Sequence, residues 1–261
     1  MNNVFAVATE PGAEQLKNRP AEAVHGSSPR DVHKSPDLSI VIPTLNASKF
    51  LGDTFYALQE AAETMSVEFI VADGGSHDDT VEKAKSLGAR VISTTRGRGT
   101  QLAAGAKDAR GRWLLFLHAD TTLEPFWSTT VTSFIRNKSN TLKAAHFTFA
   151  LDDASNAARR VEVLTNWRAR RFGLPYGDQG LLMSRQLYSA LVGYLDIPIM
   201  EDVDIVRRIG KNNLRELPAT ATTSSRRYKR DGYWMRPLRN LSLLLLYFLG
   251  VSPHRLAPLY G

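Results

Sequence analysis

The sequence predicts an α/β fold: a doubly wound, mostly parallel central sheet flanked by helices. Three observations carry this. The first half of the chain holds short, continuous apolar runs instead of alternating ones, as strands buried on both faces require. Helical patterns separate these runs, and a β-α-β-α-β-α-β order implies right-handed crossovers. Each run ends in small, polar or charged residues, where ligands of such sheets bind. A length of 261 residues suits one large α/β domain or two small ones.

Taken in order, residues 1–37 carry several prolines, few large apolar side chains and interspersed charges of both signs, and read as a disordered tail. Within them, Val4 to Ala8 is too short for a signal-peptide core and lacks a basic lead, so a cytoplasmic site is expected. A single domain is expected over 38–261. The runs LSIVIP (38–43), EFIVAD (68–73), ARVIST (89–94) and WLLFLHAD (113–120) supply four strands, with helical patterns at about 47–63, 78–87 and 99–109 between them. The second half is less regular. Strands are expected at 143–151, around 180–184 and near 214–221, and helices at 159–171 and about 202–210.

The closing segment, about 224–261, is basic and contains LSLLLLYFLGV (241–251), eleven apolar-rich residues between Arg239 and Ser252. A spanning helix needs about 20 apolar residues, so this one does not cross a bilayer. Two readings stay open: a core-packed closing helix, or an interfacial anchor at the inner face of a membrane.

Charge and cysteine content narrow the chemistry. The chain has 33 Lys plus Arg against 26 Asp plus Glu, a surplus of 7, yet eleven basic and two acidic residues fall between Ile205 and Gly261. The basic character therefore belongs to the C-terminal fifth, where it suits a phosphorylated substrate, an anionic membrane surface or nucleic acid. With no Cys there is no disulfide, thiolate metal site or cysteine nucleophile, and any metal must be a hard cation held by carboxylates, His or a ligand.

Each strand-to-helix joint offers candidate side chains. The first, Pro43-Thr44-Leu45-Asn46, stops a strand and starts a helix with small polar groups. At the second, Asp73-Gly74-Gly75-Ser76, an acid at a strand end stands beside a tight turn; Asp73 is either part of that turn or an acceptor for a base N–H or sugar hydroxyl. The third, Arg96-Gly97-Arg98-Gly99-Thr100-Gln101, sets guanidinium groups among glycines before a helix, which reads as a phosphate-binding arrangement or a plain solvated loop. The fourth, His118-Ala119-Asp120, is the most informative, because a strand-terminal Asp beside a diphosphate is how Mg2+ or Mn2+ is usually held. His118 is either a donor to phosphate or structural. Farther on, Met200-Glu201-Asp202-Val203-Asp204 stacks three acids at a helix start, where at least one caps and one, placed at a buried edge, suits a general base.

In order, SIVIPTLN, FIVADGGSHDDT, RGRGTQLAAGA, LLFLHAD, GDQG, MEDVD and SSRRY resemble the family 2 glycosyltransferases of GT-A fold, over about residues 38–261. HAD in place of Asp-x-Asp, GDQ at 177–179 and the closing YFLGVSPHRLAPLYG resemble the subgroup named for arsenosugar biosynthesis. The resemblance implies a Rossmann-like GT-A domain performing inverting transfer from a nucleotide-sugar donor to a hydroxyl acceptor of unknown kind. It implies that Pro43, Thr44 and Asn46 line the nucleotide pocket and that Asp73 contacts base or ribose. It sets Arg98, Gln101 and His118 near the nucleotide, Asp120 on the divalent metal, and Asp202 as general base with Glu201 as its substitute. Arg226, Arg227 and Tyr228 fall where related synthases carry an Arg-Trp pair near the diphosphate and acceptor.

Two other classes fit less well. A nucleotide-sugar pyrophosphorylase wants a longer Gly-rich basic loop after its first strand, and PTLNASKF has none. A nucleic-acid-binding module would interleave aromatic and basic residues on a sheet, which the basic C-terminal region does not do, so nucleic acid is not an expected partner.

Overall fold

The structure, a computed structural model, describes residues 35–260. The expected tail therefore lies outside the described residues except at its end, where the expectation is corrected. Asp37 donates its N–H to the Ser66 carbonyl (2.8 Å) and pairs with Arg112, while the Pro36 carbonyl accepts from Arg112 N (3.0 Å). Residues 36 and 37 are thus tied down ahead of the first strand.

Strands β1 (Leu38–Thr44), β2 (Val67–Asp73), β3 (Arg90–Ser93) and β4 (Trp113–Phe116) are parallel, in the order β3-β2-β1-β4. The sheet continues through β7 (Leu181–Ser184), β6 (Ala144–Leu151), β8 (Leu214–Thr223) and β5 (Thr121–Leu123). Here β7 is antiparallel to both neighbours, β6 and β8 are parallel, and β5 closes the edge antiparallel to β8. Continuous apolar runs form β1 because both faces are covered: Leu38, Ile40 and Ile42 face one core, and Val41 faces the other.

Helix α1 (Ser48–Leu58) packs Leu51, Phe55 and Leu58 on the first face, followed by the short α2 (Ala61–Thr64). The helix expected over 47–63 is thus broken at 59–60. Helix α3 (Thr80–Ser86) follows β2, and α4 (Arg98–Asp108) sets Leu102 and Ala106 on the second face. Helix α5 (Trp127–Arg136), rich in Ser and Thr and not foreseen, buries Trp127, Val131 and Phe134 beside α1. Helix α6 (Asn156–Phe172) is capped by Ser155 Oγ, which accepts from Ala158 N at 3.2 Å. Then come α7 (Arg185–Ala190), α8 (Glu201–Ile209), α9 (Arg226–Asp231), α10 (Met235–Phe248) and α11 (Pro253–Tyr260).

The strand expected over 113–120 ends at Phe116. Leu117 still donates to the Val41 carbonyl (3.1 Å), after which the backbone turns so that Thr121 pairs with Thr223 of β8. This turn carries His118 and Asp120 to the carboxyl end of β1, where Pro43 and Thr44 line the same cavity. Among the described residues no helix is long and apolar enough to cross a membrane. In α10, Leu243 and Leu244 are buried while Leu238, Leu241, Leu245 and Phe248 are exposed, so the helix packs on one side only.

Candidate active site

The carboxyl ends of the parallel strands open into a cavity of about 510 Å3. The predicted residues Pro43, Thr44, Asn46, Arg98, Gln101, His118, Asp120, Glu201, Asp202, Arg226 and Arg227 all line it. Asp73 stands apart. It is 3% exposed, and its carboxylate accepts from Thr44 Oγ1 (2.9 Å), Gly75 N (3.0 Å), Ser76 N (2.8 Å) and Ser76 Oγ (2.5 Å). Burial pushes this carboxyl up, but the Ser76, Thr44 and Gly75 hydrogen bonds outweigh it and hold the group below its ordinary value. Asp73 is thereby the organiser of the turn behind Thr44.

Two further side chains tie the first joints together. Asn46 adopts φ 51°, a left-handed conformation Asn tolerates, and its Oδ1 accepts from His77 N at 2.9 Å. Gln101, 5% exposed, donates Nε2 to the Thr44 carbonyl (2.7 Å) and the Ala72 carbonyl (2.8 Å). It reaches the cavity wall with its donor already committed to holding β1 and β2 together.

The Arg-Gly segment is built for close packing. A Cβ on Gly99 would lie 2.5 Å from the Leu195 carbonyl oxygen and 3.0 Å from that of Ile197. Only glycine lets the first turn of α4 abut the segment leading into α8, an approach also fixed by the Thr100–Asp196 hydrogen bond. That approach brings Arg98 Nη1 to 3.3 Å from Glu201 Oε1. Glu201 is 2% exposed; burial, opposed by Arg98 and reinforced by the Asp202 charge, pushes its carboxyl up to about 7.

Asp202 opens the first turn of α8. Its Oδ2 accepts from Gly177 N (2.9 Å) and its Oδ1 from its own neighbour Val203 N (2.8 Å). Gly177 also packs against His118, whose Nε2 would lie 2.6 Å from a Cβ at that position. One glycine thus sets the spacing between Asp202 and the imidazole. His118 Nε2 is buried without a hydrogen-bond partner. Burial, with the Arg98 and Arg227 charges adding to it, holds the imidazole neutral, well below its ordinary value. Asp120 is fixed through its backbone, the carbonyl accepting from Ser224 N at 3.1 Å, which also brings Arg226 and Arg227 to the same wall. Arg226 lies over the Phe50 ring, 5.6 Å from its centroid.

Sequence reasoning quoted the GDQ motif but did not single out Asp178. Its carboxyl is pushed up to about 6 by burial first, with Arg168 opposing and the Asp202 and Asp120 charges adding to the rise. Its Oδ1 is buried without a hydrogen-bond partner. The signal lies in charges brought together only by the fold. Asp204, the third acid of its cluster, pairs with Arg208 on its own helix.

Among the described residues no three acidic, His or Cys side chains lie close enough to hold a cation unaided. A cation at Asp120 would draw its other ligands from phosphate oxygens and water, which is how Mg2+ and Mn2+ commonly bind. The Asp120 carboxylate is the kind of hard oxygen donor that would suit such an ion.

Comparisons with known proteins bear on the family and the fold. A glycosyltransferase for PGL/p-HBAD biosynthesis from Mycobacterium bovis is 37% identical over 97 residues, which span 34% of this chain and 37% of that protein. The chain thus matches little more than a third of that relative's length. The mannosyltransferase PcManGT from Pyrobaculum calidifontis, solved with GDP-Man and Mn2+, superposes with a TM-score of 0.58 at 15% identity, covering 90% of this chain and 72% of that one. Glucosyl-3-phosphoglycerate synthase from Mycobacterium tuberculosis, solved with Mn2+ and UDP-glucose, gives 0.51 at 19% identity, covering 72% and 70%. At such identities these structures establish a shared GT-A fold. The model of glycosyl transferase family 2 matches residues 39–180, more than half of the chain, and the chain belongs to that family.

Proposed function

We propose that the protein transfers a sugar from a nucleoside-diphosphate donor to a hydroxyl acceptor with inversion, Asp202 acting as general base. The observation that carries this reading is the shared wall. Asp202, His118, Asp120 and Arg227 line both the cavity at the strand ends and an adjoining chamber, so two carboxylates border donor and acceptor space, one for the cation and one for the proton.

The donor diphosphate occupies the strand-end cavity among Arg98, Arg226 and Arg227, whose charges oppose the negative charge that grows on the leaving group. Asp120 would hold the divalent cation, which when bound neutralises diphosphate charge as a Lewis acid. Manganese in the complexes of the two structural relatives supports a divalent ion without choosing between Mg2+ and Mn2+. Asp202 takes the acceptor hydroxyl's proton while that oxygen bonds to the anomeric carbon. The carbon–oxygen bond to the diphosphate breaks, and the electron pair leaves with the phosphate. Gly177 N and Val203 N each donate to one Asp202 oxygen, which fixes the carboxylate and leaves a second lone pair on each oxygen to receive that proton. Glu201 is the weaker candidate, since it is 2% exposed and engaged by Arg98. Its buried pairing with Arg98, one residue before Asp202 in α8, makes it a positioning residue.

Asp202→Asn tests the assignment. It should leave nucleoside-diphosphate binding with Mn2+ unchanged and lower turnover by about 1,000-fold, the scale of losing a positioned base. A variant with wild-type turnover would remove Asp202 as base.

A further inference from the structure

The adjoining chamber, about 470 Å3, has walls unlike those of the donor cavity. We infer that it is the acceptor site and takes a hydroxyl carried on an apolar body, the chemistry of a long-chain alcohol or alkylated phenol. The inference rests on the sugar-transfer reading and names its acceptor class.

Three observations support it. First, away from the shared wall the lining comes mainly from α6 and α10, where Val161, Leu164, Trp167, Phe172, Leu244 and Phe248 outnumber the polar Thr165, Arg168 and Arg236. A polyol or phosphorylated acid would leave its hydroxyls unpaired against these groups, whereas an alkyl chain or ring loses nothing there. Second, the inner end is polar. Asp178 lines the chamber with a buried Oδ1 that has no hydrogen-bond partner, so an acceptor hydroxyl entering beside Asp202 finds a group to bond. The ligand is therefore polar at one end and apolar along its length.

Third, the outer rim stays apolar and exposed: Leu164 is 57% exposed, Trp167 55% and Leu241 59%. Single exposed apolar side chains are ordinary, but a contiguous group around a chamber mouth marks a binding surface. Cations stack on the aromatic part of this rim, with Arg171 over Phe172 (5.5 Å) and Arg207 over Phe248 (4.8 Å). Such arginines cover ring faces while keeping charge toward water or anionic headgroups. The acceptor can thus reach the chamber from solution or from a bilayer, and the experiment separates the two.

Trp167 is a built-in reporter. In a Trp234→Phe background it is the exposed indole, because Trp113 and Trp127 are buried. A dibrominated undecanol should quench its fluorescence saturably, with dodecanol competing and glycerol not. Leu164→Asn and Leu241→Asn, at positions more than half exposed, should each raise the half-saturating concentration by about tenfold, the scale of one lost apolar contact. Quenching from solution assigns a dissolved acceptor. Quenching only from phosphatidylglycerol-containing vesicles, and not from phosphatidylcholine alone, assigns a bilayer-borne one. Absence of saturable quenching from either source, or quenching unchanged in both Asn variants, overturns the inference if GDP or UDP with Mn2+ still raises the melting temperature. If neither nucleotide does so, the donor reading has failed and the inference falls with it.

Discussion

Gly99→Ala is the most demanding test of how the site is assembled. A Cβ there would lie 2.5 Å from the Leu195 carbonyl oxygen, 0.5 Å inside the 3.0 Å that real Cβ contacts essentially never breach, and 3.0 Å from the Ile197 oxygen. Both obstacles are backbone, so no rotamer change relieves them, and α4 or the 195–202 segment must retreat. In a helix Ala gains about 0.5–1 kcal/mol over Gly, while overpacking against backbone costs toward the upper end of about 1–3 kcal/mol, leaving a net loss of roughly 2 kcal/mol. In a chain of this size each kcal/mol lowers the melting temperature by about 2–4 °C. The retreat parts Arg98 from Glu201 and displaces Asp202, and misplacements of this order cost about 100-fold in turnover. Gly52→Ala is the control, because its Cβ would meet only the Lys83 side chain at 3.5 Å. It should stabilise the protein by about 0.5–1 kcal/mol with turnover unchanged. Calorimetric melting and steady-state release of nucleoside diphosphate read both effects. A Gly99→Ala protein as stable and active as wild type would refute the close-packing account.

Two further predictions concern buried polar groups. Gln101→Leu leaves the Thr44 and Ala72 carbonyls without their donor and should cost about 2 kcal/mol in urea unfolding; a loss below the error of the measurement would mean the amide clamp is not needed. Glu201, pushed up to about 7 from an ordinary 4.5, binds its proton more tightly in the folded state, so stability falls as pH rises from about 5 through 7. Melting scans should show this fall and Glu201→Gln should flatten it; an equal slope in both proteins would shift the cause to Asp178 or elsewhere.

Much of the catalytic edge was legible because its information is local. The runs at β1, β2, β3 and β4 announce strands, and the joints after them name Asn46, Asp73, Arg98 and Asp120 before any contact is known. What the sequence hid depends on distant pairings. Inserting β7 antiparallel between β4 and β6, and diverting residues 117–120 toward β8, leaves no periodic mark in the chain. The Arg-Gly segment reads as a phosphate-binding or a solvated loop, yet Gly99 answers to carbonyls nearly a hundred residues away. Asp178 stayed unremarked because the charges that shift it, from Arg168, Asp202 and Asp120, converge only in the fold. The closing helix divides between the two readings left open: Leu243 and Leu244 face inward, while Leu241 and Leu245 stay outside.

The central claim is that Asp120 joins the protein to a cation-bound donor diphosphate at the wall it shares with Asp202. Calorimetric titration of UDP and GDP into Asp120→Asn, with Mn2+ and with EDTA, tests it most directly. The account predicts metal-dependent binding by the wild type and its loss, by about 100-fold or more, in the variant. Equal affinity in both proteins with Mn2+ present would contradict it.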